Sequence, residues 1–213
     1  MTTFNDAVVD LIQSHFQDIH QGATLTDIFP DAEPVLQQAY GVMQWAHCRQ
    51  NRKGPLARPY HQHPLMVFVL VRLSGGSLSD QTVALLHDVV EDAQKSWPGV
   101  TRADVLQAIQ AQFGPEVARR VDLLSNPEGL AKADKKDWQL QQLRQHGEIV
   151  TIKLADKLAN SYDTVFDAPE MWDGAEVQRQ QLQALEMITP FRPQLPQALC
   201  VFFDWLTTQE VRA

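Results

Sequence analysis

Apolar positions along this chain recur at helical spacing, with turn residues breaking the pattern at short intervals. Residues 4–20 are weakly amphipathic. The segment from Ala32 to Arg49 reads as a helix that runs into the loop signature Asn51-Arg52-Lys53-Gly54-Pro55. Leu65–Leu73, apolar as far as Val71, continues as a buried helix, and Gly75-Gly76 stops it. Pro64 is expected at the first helical position, where its missing N–H would be unpaired in any case. Ser79 is expected to cap the next helix, with Asp80 in the first turn, where the helix dipole favours a carboxylate. That helix is expected to carry Val83, Leu85, Leu86, Val89 and Val90 and to end before Trp97-Pro98-Gly99.

Thr101 with Asp104 marks another start, Gly114 its end, and Pro115 opens a short helix to Leu124. Asn126-Pro127-Glu128-Gly129 is a turn. Ile149-Val150-Thr151-Ile152 has strand propensity, but no alternating partner strand exists, so residues 147–166 read as helix. Leu195, Leu199, Phe202 and Leu206 form a last apolar helical stripe. The fold class is all-α. No repeat, low-complexity tract or Gly/Ser linker divides the chain, so one domain is expected.

A chain of 213 residues can close one large core without staples. Two cysteines, Cys48 and Cys200, with no C-x-x-C spacing argue against a disulfide framework and a thiolate zinc site. The N-terminus lacks a basic region followed by an apolar run. The longest apolar run, Pro64 to Val71, is far short of the ~20 residues of a membrane span. A cytoplasmic protein with no membrane partner is expected, and no oligomeric state follows from these features. The net charge of −8 disfavours a nucleic-acid partner. Yet no Asp or Glu occurs between Glu33 and Asp80, where Arg49, Arg52, Lys53, Arg58 and Arg72 fall. Such a stretch is either a solvated basic loop or an attractor for a small anion.

The informative local feature is Leu86-His87-Asp88-Val89-Val90-Glu91-Asp92. On a continuous helix His87 and Glu91 stack one turn apart, as do Asp88 and Asp92. Three carboxylates and an imidazole are then crowded together, which is costly inside a core unless a divalent cation reverses the sign. The alternative is a solvent-exposed acidic face. In Thr151-Ile152-Lys153-Leu154-Ala155-Asp156-Lys157-Leu158-Ala159-Asn160, Asp156 and Asn160 lie one turn apart, and Lys153 and Lys157 are equally able simply to pair with Asp156. In Tyr60-His61-Gln62-His63-Pro64, His63 enters a buried helix, as a ligand or as a satisfied core residue. A loop leaves His61 free to face water.

Taken together, His63, His87, Asp88 and Asp156 resemble the ligand pattern of the HD-domain phosphohydrolases, and more closely that of the hydrolase domain of RelA/SpoT homologues. The resemblance runs from about Leu36 to Glu210 and implies an HD-type helical bundle over 36–210. Residues 1–35 are then an N-terminal extension, helical and packed on the core. It implies that His63, His87, Asp88 and Asp156 hold a divalent metal ion, with Mn²⁺ favoured by the family and by mixed His/carboxylate ligation. It implies that the Glu91-Asp92 dyad orients and deprotonates the attacking water. Arg52 and Lys53 resemble the Arg-Lys-x-Gly element that lies over the base and phosphates of a nucleotide. Tyr60 matches a Pro-Tyr-x-x-His-Pro element, and Asn160 matches an Asn that positions the substrate.

With no room for an alarmone synthetase domain, the chain is similar to the stand-alone small alarmone hydrolases. That similarity implies hydrolysis of the 3′-pyrophosphate of guanosine tetra- or pentaphosphate. Two departures stand out: the loop Gly54–Tyr60 is longer than the family's usual Gly-x-Pro-Tyr, and Leu123-Leu124-Ser125-Asn126-Pro127 replaces a Val-Thr-Asp or Val-Thr-Lys segment. Two rival readings are hydrolysis of another nucleotide (a nucleoside monophosphate or NADPH) and a non-catalytic nucleotide sensor.

Overall fold

The computed structural model describes residues 3–209; the expected domain edge at Glu210, and Met1 and Thr2 of the expected extension, lie outside them. The α-helices are α1 (Phe4–His20), α2 (Leu25–Ile28), α3 (Pro34–His47), α4 (Gln62–Leu73), α5 (Leu78–Leu86) and α6 (Val89–Ser96). They continue with α7 (Arg102–Phe113), α8 (Pro115–Leu124), α9 (Lys135–Gln145), α10 (Val150–Phe166), α11 (Gly174–Ile188) and α12 (Gln197–Thr207). Among the described residues there is no strand, only one isolated bridge between Asn51 and Pro59. The fold is all-α, as the pattern predicts.

Helix α4 is the axis of the molecule. Every residue from Gln62 to Val71 is buried, because α5, α10, α1 and α12 surround it. A helix apolar on all faces can only sit inside, and each fully buried Leu, Val or Phe side chain contributes about 1.5–3 kcal/mol. Helix α3 lies over α5 and α6, and α10 crosses α4. The C-terminal stripe is buried as read, with Leu199 and Phe202 fully enclosed.

Three local readings are corrected. Helix α4 begins two residues before Pro64, which sits in the first turn, where its missing N–H still leaves no partner wanting. The cap of α5 is Ser77, whose Oγ accepts from the Asp80 N–H while the Asp80 carboxylate accepts from the Ser77 N–H, a reciprocal capping box.

The third correction matters most. The helix expected through Val83–Val90 is two helices, broken at His87-Asp88. No Gly or Pro marks the break. His87 Nδ1 lies 2.8 Å from the Ala84 carbonyl. In an unbroken helix that carbonyl would accept from the N–H of residue 88.

Helix α1 is sewn into the core. Phe16 is fully buried and packs edge-on against Tyr162 and Phe202, at centroid distances of 4.9 and 5.7 Å. Replacing Phe16 by Ala is therefore expected to cost about 3–5 kcal/mol. Urea denaturation measures this, and an unmoved midpoint would make α1 an appendage with no share in the core.

Candidate metal centre

Four side chains from three places in the fold meet at one point. His63 comes from the first turn of α4, His87 and Asp88 from the break between α5 and α6, and Asp156 from the middle of α10. One ligand atom each of His63, His87 and Asp88 lie within 4.8 Å of one another. Asp156 Oδ1 is 3.1 Å from His63 Nε2 and 3.9 Å from His87 Nε2. Asp88 Oδ2 is 3.3 Å from His87 Nε2 and 3.7 Å from His63 Nε2.

The donor set suits a divalent cation. Because His87 Nδ1–H donates to the Ala84 carbonyl, the Nε2 lone pair of the neutral ring points toward two carboxylates. Nε2 is buried and has no hydrogen-bond partner. A lone pair facing anions is repulsive until something positive comes between them. Burial alone pushes the His87 imidazolium pKa down, but Asp88 and Asp156 outweigh it and raise it to about 9. A cation between the same atoms answers that electrostatic demand as the proton does. Two imidazoles and two carboxylates form a mixed N/O set of the kind that binds first-row divalent metals.

Asp156 is held from both sides. Lys153 Nζ is 3.1 Å and Lys157 Nζ 3.9 Å from its outer oxygen, Oδ2, and Asn160 Nδ2 donates to Oδ1 at 2.6 Å. Burial would raise this carboxyl pKa, but the two lysines hold it well below the usual range. The lysine pairing anticipated as an alternative thus coexists with an inward-facing Oδ1. The Tyr60 hydroxyl donates to Asp88 Oδ2 at 2.8 Å.

Arg52 extends the cluster. Its Nη2 donates to Asn160 Oδ1 at 2.8 Å and its Nε to Asp163 Oδ2 at 3.0 Å. Its guanidinium lies over the Tyr60 ring. Lys53 is exposed and takes no part in the hydrogen bonds or ion pairs among the described residues.

The long loop is fastened at both ends. The Arg52 N–H donates to the Arg58 carbonyl at 2.8 Å and the Tyr60 N–H to the Gln50 carbonyl at 2.9 Å. Arg58 reaches Asp167 at 2.8 Å, and a Cβ on Gly54 would overlap the Asp167 backbone and carboxylate. Asp163 gathers Arg52, Arg58 and His20, the last from α1 at 3.3 Å.

The dyad splits in two directions. Glu91 accepts from the Asn126 N–H at 2.6 Å and from Asn126 Nδ2 at 3.0 and 3.1 Å. Asp92 is buried; Lys95 donates to its Oδ1, while Oδ2 has no hydrogen-bond partner. Burial, with Asp88 nearby, pushes the Asp92 carboxyl pKa up to about 6. Of the stacking expected of one continuous helix, the Asp88–Asp92 half survives, since Asp88 caps α6 and the Asp92 N–H donates to its carbonyl at 3.1 Å, whereas Glu91 turns away from His87 to Asn126 across the break.

His47 is a residue the sequence reading passed over. It is buried, lies 4.8 Å from the Tyr60 ring between centroids, and its Nδ1 is 3.8 Å from Asp92 Oδ2. Burial lowers its pKa to about 4, so it is neutral. Its signal was legible, since it continues the buried stripe Leu36, Tyr40, Met43 of α3. A cavity of about 550 Å³ lies elsewhere, between α10, α11 and α12, lined by Leu158, Val165, Leu182 and Phe203. None of the metal-cluster residues lines it.

If Lys153 orients Asp156, Lys153→Met lowers affinity for a divalent cation by about 10–100-fold, the range typical of groups that support metal ligands. Titrating the cation while following the melting temperature checks this. Equal midpoints in both proteins would leave Lys153 without that role.

No family model matches the chain. The Xenopus tropicalis protein named guanosine-3′,5′-bis(diphosphate) 3′-pyrophosphohydrolase MESH1 is 31% identical over 166 residues, covering 76% of this chain and 87% of that protein. The Homo sapiens MESH1 of the same name is 33% identical over 136 residues, 62% of this chain and 70% of that protein. A Vibrio cholerae guanosine-3′,5′-bis(diphosphate) 3′-pyrophosphohydrolase is 34% identical over 133 residues, 59% of this chain but 17% of that longer protein. A solved structure described as a metazoan ortholog of SpoT that hydrolyzes ppGpp has a TM-score of 0.72 at 24% identity. The match covers 84% of this chain and 96% of that one, and so supports the same fold. On the extent and identity of these matches, this chain belongs to the MESH1 family.

Proposed function

We propose that this protein is a metal-dependent phosphohydrolase that removes the 3′-pyrophosphate of guanosine tetra- or pentaphosphate, giving GDP or GTP and pyrophosphate. The observation that carries this reading is the convergence of His63, His87, Asp88 and Asp156 in a chain that aligns with most of the length of a MESH1 hydrolase. These four residues would hold the cation, and Mn²⁺ suits their mixed nitrogen and carboxylate character. When bound, such an ion supplies Lewis-acid polarisation of a phosphoryl oxygen and lowers the pKa of a water.

The remaining work falls to the chain's own side chains. Arg52, already beside Asn160, offers a planar fork that suits paired hydrogen bonds to a phosphate. Asn160 ties that cation to Asp156, so substrate placement and ligand placement share one hydrogen-bonded line. Tyr60 and Lys53 complete the substrate side of the reading, Tyr60 through Asp88 and Lys53 as an exposed cation. Water oxygen attacks the phosphorus joined to O3′, the P–O3′ bond breaks, and O3′ takes a proton as pyrophosphate leaves. The Glu91-Asp92 pair receives the proton that the water gives up.

The reading extends to the chain's setting. We infer a cytoplasmic protein with a small nucleotide as its partner and no nucleic acid, supported by its net charge of −8. No helix among the described residues is long and apolar enough to cross a membrane. We retain residues 36–210 as the hydrolase unit with 1–35 added to it.

Purified protein with Mn²⁺ and guanosine tetraphosphate should release GDP and pyrophosphate in equal amounts. Turnover of a different nucleotide, with none of the tetraphosphate, would remove this substrate. Glu91→Gln should keep the metal and lose on the order of 100-fold or more in kcat. Loss of metal from that variant, measured by elemental analysis, would make Glu91 a ligand instead of a proton acceptor.

A further inference from the structure

We infer that Asn126 is a positioning residue for Glu91, and that Gln139 on α9 braces the Asn126 amide through its Oδ1. The inference rests on the proposed role of Glu91 and adds a device that holds it. Asn126 lies where the sequence departs from the family pattern, in Leu123-Leu124-Ser125-Asn126-Pro127.

All four polar groups of Asn126 are engaged, with Glu91, Gln139 and Arg102. Its N–H donates to Glu91 Oε1 at 2.6 Å, and its Nδ2 donates to Oε1 at 3.0 Å and Oε2 at 3.1 Å. Its Oδ1 accepts from Gln139 Nε2 at 3.0 Å. Its carbonyl accepts from Arg102 Nη1 at 3.1 Å. An amide can be turned end for end at little cost unless a neighbour distinguishes O from N. Glu91 supplies that distinction: its carboxylate only accepts, so the Asn126 NH₂ faces it, and Gln139 Nε2, donating to Oδ1, braces the amide in that orientation. The turn that carries Asn126 is itself fastened, by Arg102 and by Ser125 Oγ donating to the Val121 carbonyl at 2.8 Å.

A glutamate on the first turn of α6 would otherwise have several rotamers open to it. Donors on both carboxylate oxygens select one, before substrate arrives. Placement of a reacting group to within a fraction of an ångström governs rate through orientation, and misplacement by about 1 Å can cost on the order of 100-fold. The clamp therefore acts on kcat, through another residue, without touching the nucleotide.

Two substitutions at Asn126 separate a clamp from a merely structural turn. Asn126→Ala removes the side-chain donors to both carboxylate oxygens and leaves the backbone N–H. Asn126→Asp keeps the shape and the acceptor for Gln139 but sets a carboxylate against Glu91. If Asn126 acts through Glu91, kcat falls by about 10–100-fold in Asn126→Ala and further in Asn126→Asp, with KM within about 3-fold and metal content unchanged. A structural role gives the reverse order, because the isosteric Asp restores the turn; Asn126→Asp more active than Asn126→Ala overturns the inference.

Melting temperatures identify any variant that fails to fold, and Gln139→Leu then decides. With Asn126 intact, that variant should lose about 3–10-fold in kcat, and the Gln139→Leu/Asn126→Ala double variant should lose no more than Asn126→Ala alone. An unchanged kcat in folded Gln139→Leu, or additive losses in the double variant, also overturns it. The assays use whichever nucleotide the wild-type protein hydrolyses, so a wrong substrate shows in the wild type and a wrong clamp shows only among the variants.

Discussion

The hydrogen bond from the His87 ring to the Ala84 carbonyl organises the site. By occupying a carbonyl that helix continuation needs, it accompanies the break between α5 and α6. It also fixes the ring so that Nε2 faces Asp88 and Asp156. One polar contact thus joins a local backbone event to the electrostatics of the centre. The surrounding bundle supplies the other half: α4 and α10 cross in the core, so His63 and Asp156, far apart in sequence, reach the same spot. Because α4 is enclosed on all sides, this crossing has little freedom to shift.

The charges are arranged to be neutralised in space even where they are segregated along the chain. The stretch between Glu33 and Asp80 has no acid of its own, yet Arg52 and Arg58 meet Asp163 and Asp167 from α10. Arg52 and Arg58 are therefore held in place by distant carboxylates, while Lys53 stays exposed and unpaired among the described residues. Buried Lys153 and half-buried Lys157 of α10 follow the same logic, since Asp156 answers their charge.

Much of this was legible in the sequence for identifiable reasons. The apolar run of α4, the caps at Thr101 and Gly114, and the C-terminal stripe are local signals carried by adjacent residues. The break at His87-Asp88 was not, because it comes from a side-chain bond and no breaker residue announces it. Ser77 and Ser79 compete as caps two positions apart, and only backbone geometry chooses between them. The four converging residues were readable as a pattern, and so was the pairing of Lys153 and Lys157 with Asp156, but the partners of their neighbours were not. Glu91 meets Asn126 and Arg58 meets Asp167 through packing that no periodicity encodes. His47 is the opposite case, a visible interruption of an apolar stripe that had no motif to draw the eye.

The fastening of the loop between Asn51 and Pro59 bears on how this segment can vary in length. The bridge pins its two ends, and Gly54 rests so close to Asp167 that only a residue without a side chain fits there. Leu56, in contrast, projects into solvent. Insertions and deletions are therefore absorbed at the crown, around residues 55–57, where they lengthen or shorten a bulge while the stems keep their registration. Such a loop can drift in size among related proteins while Arg52 and Tyr60, one on each stem, stay where they are.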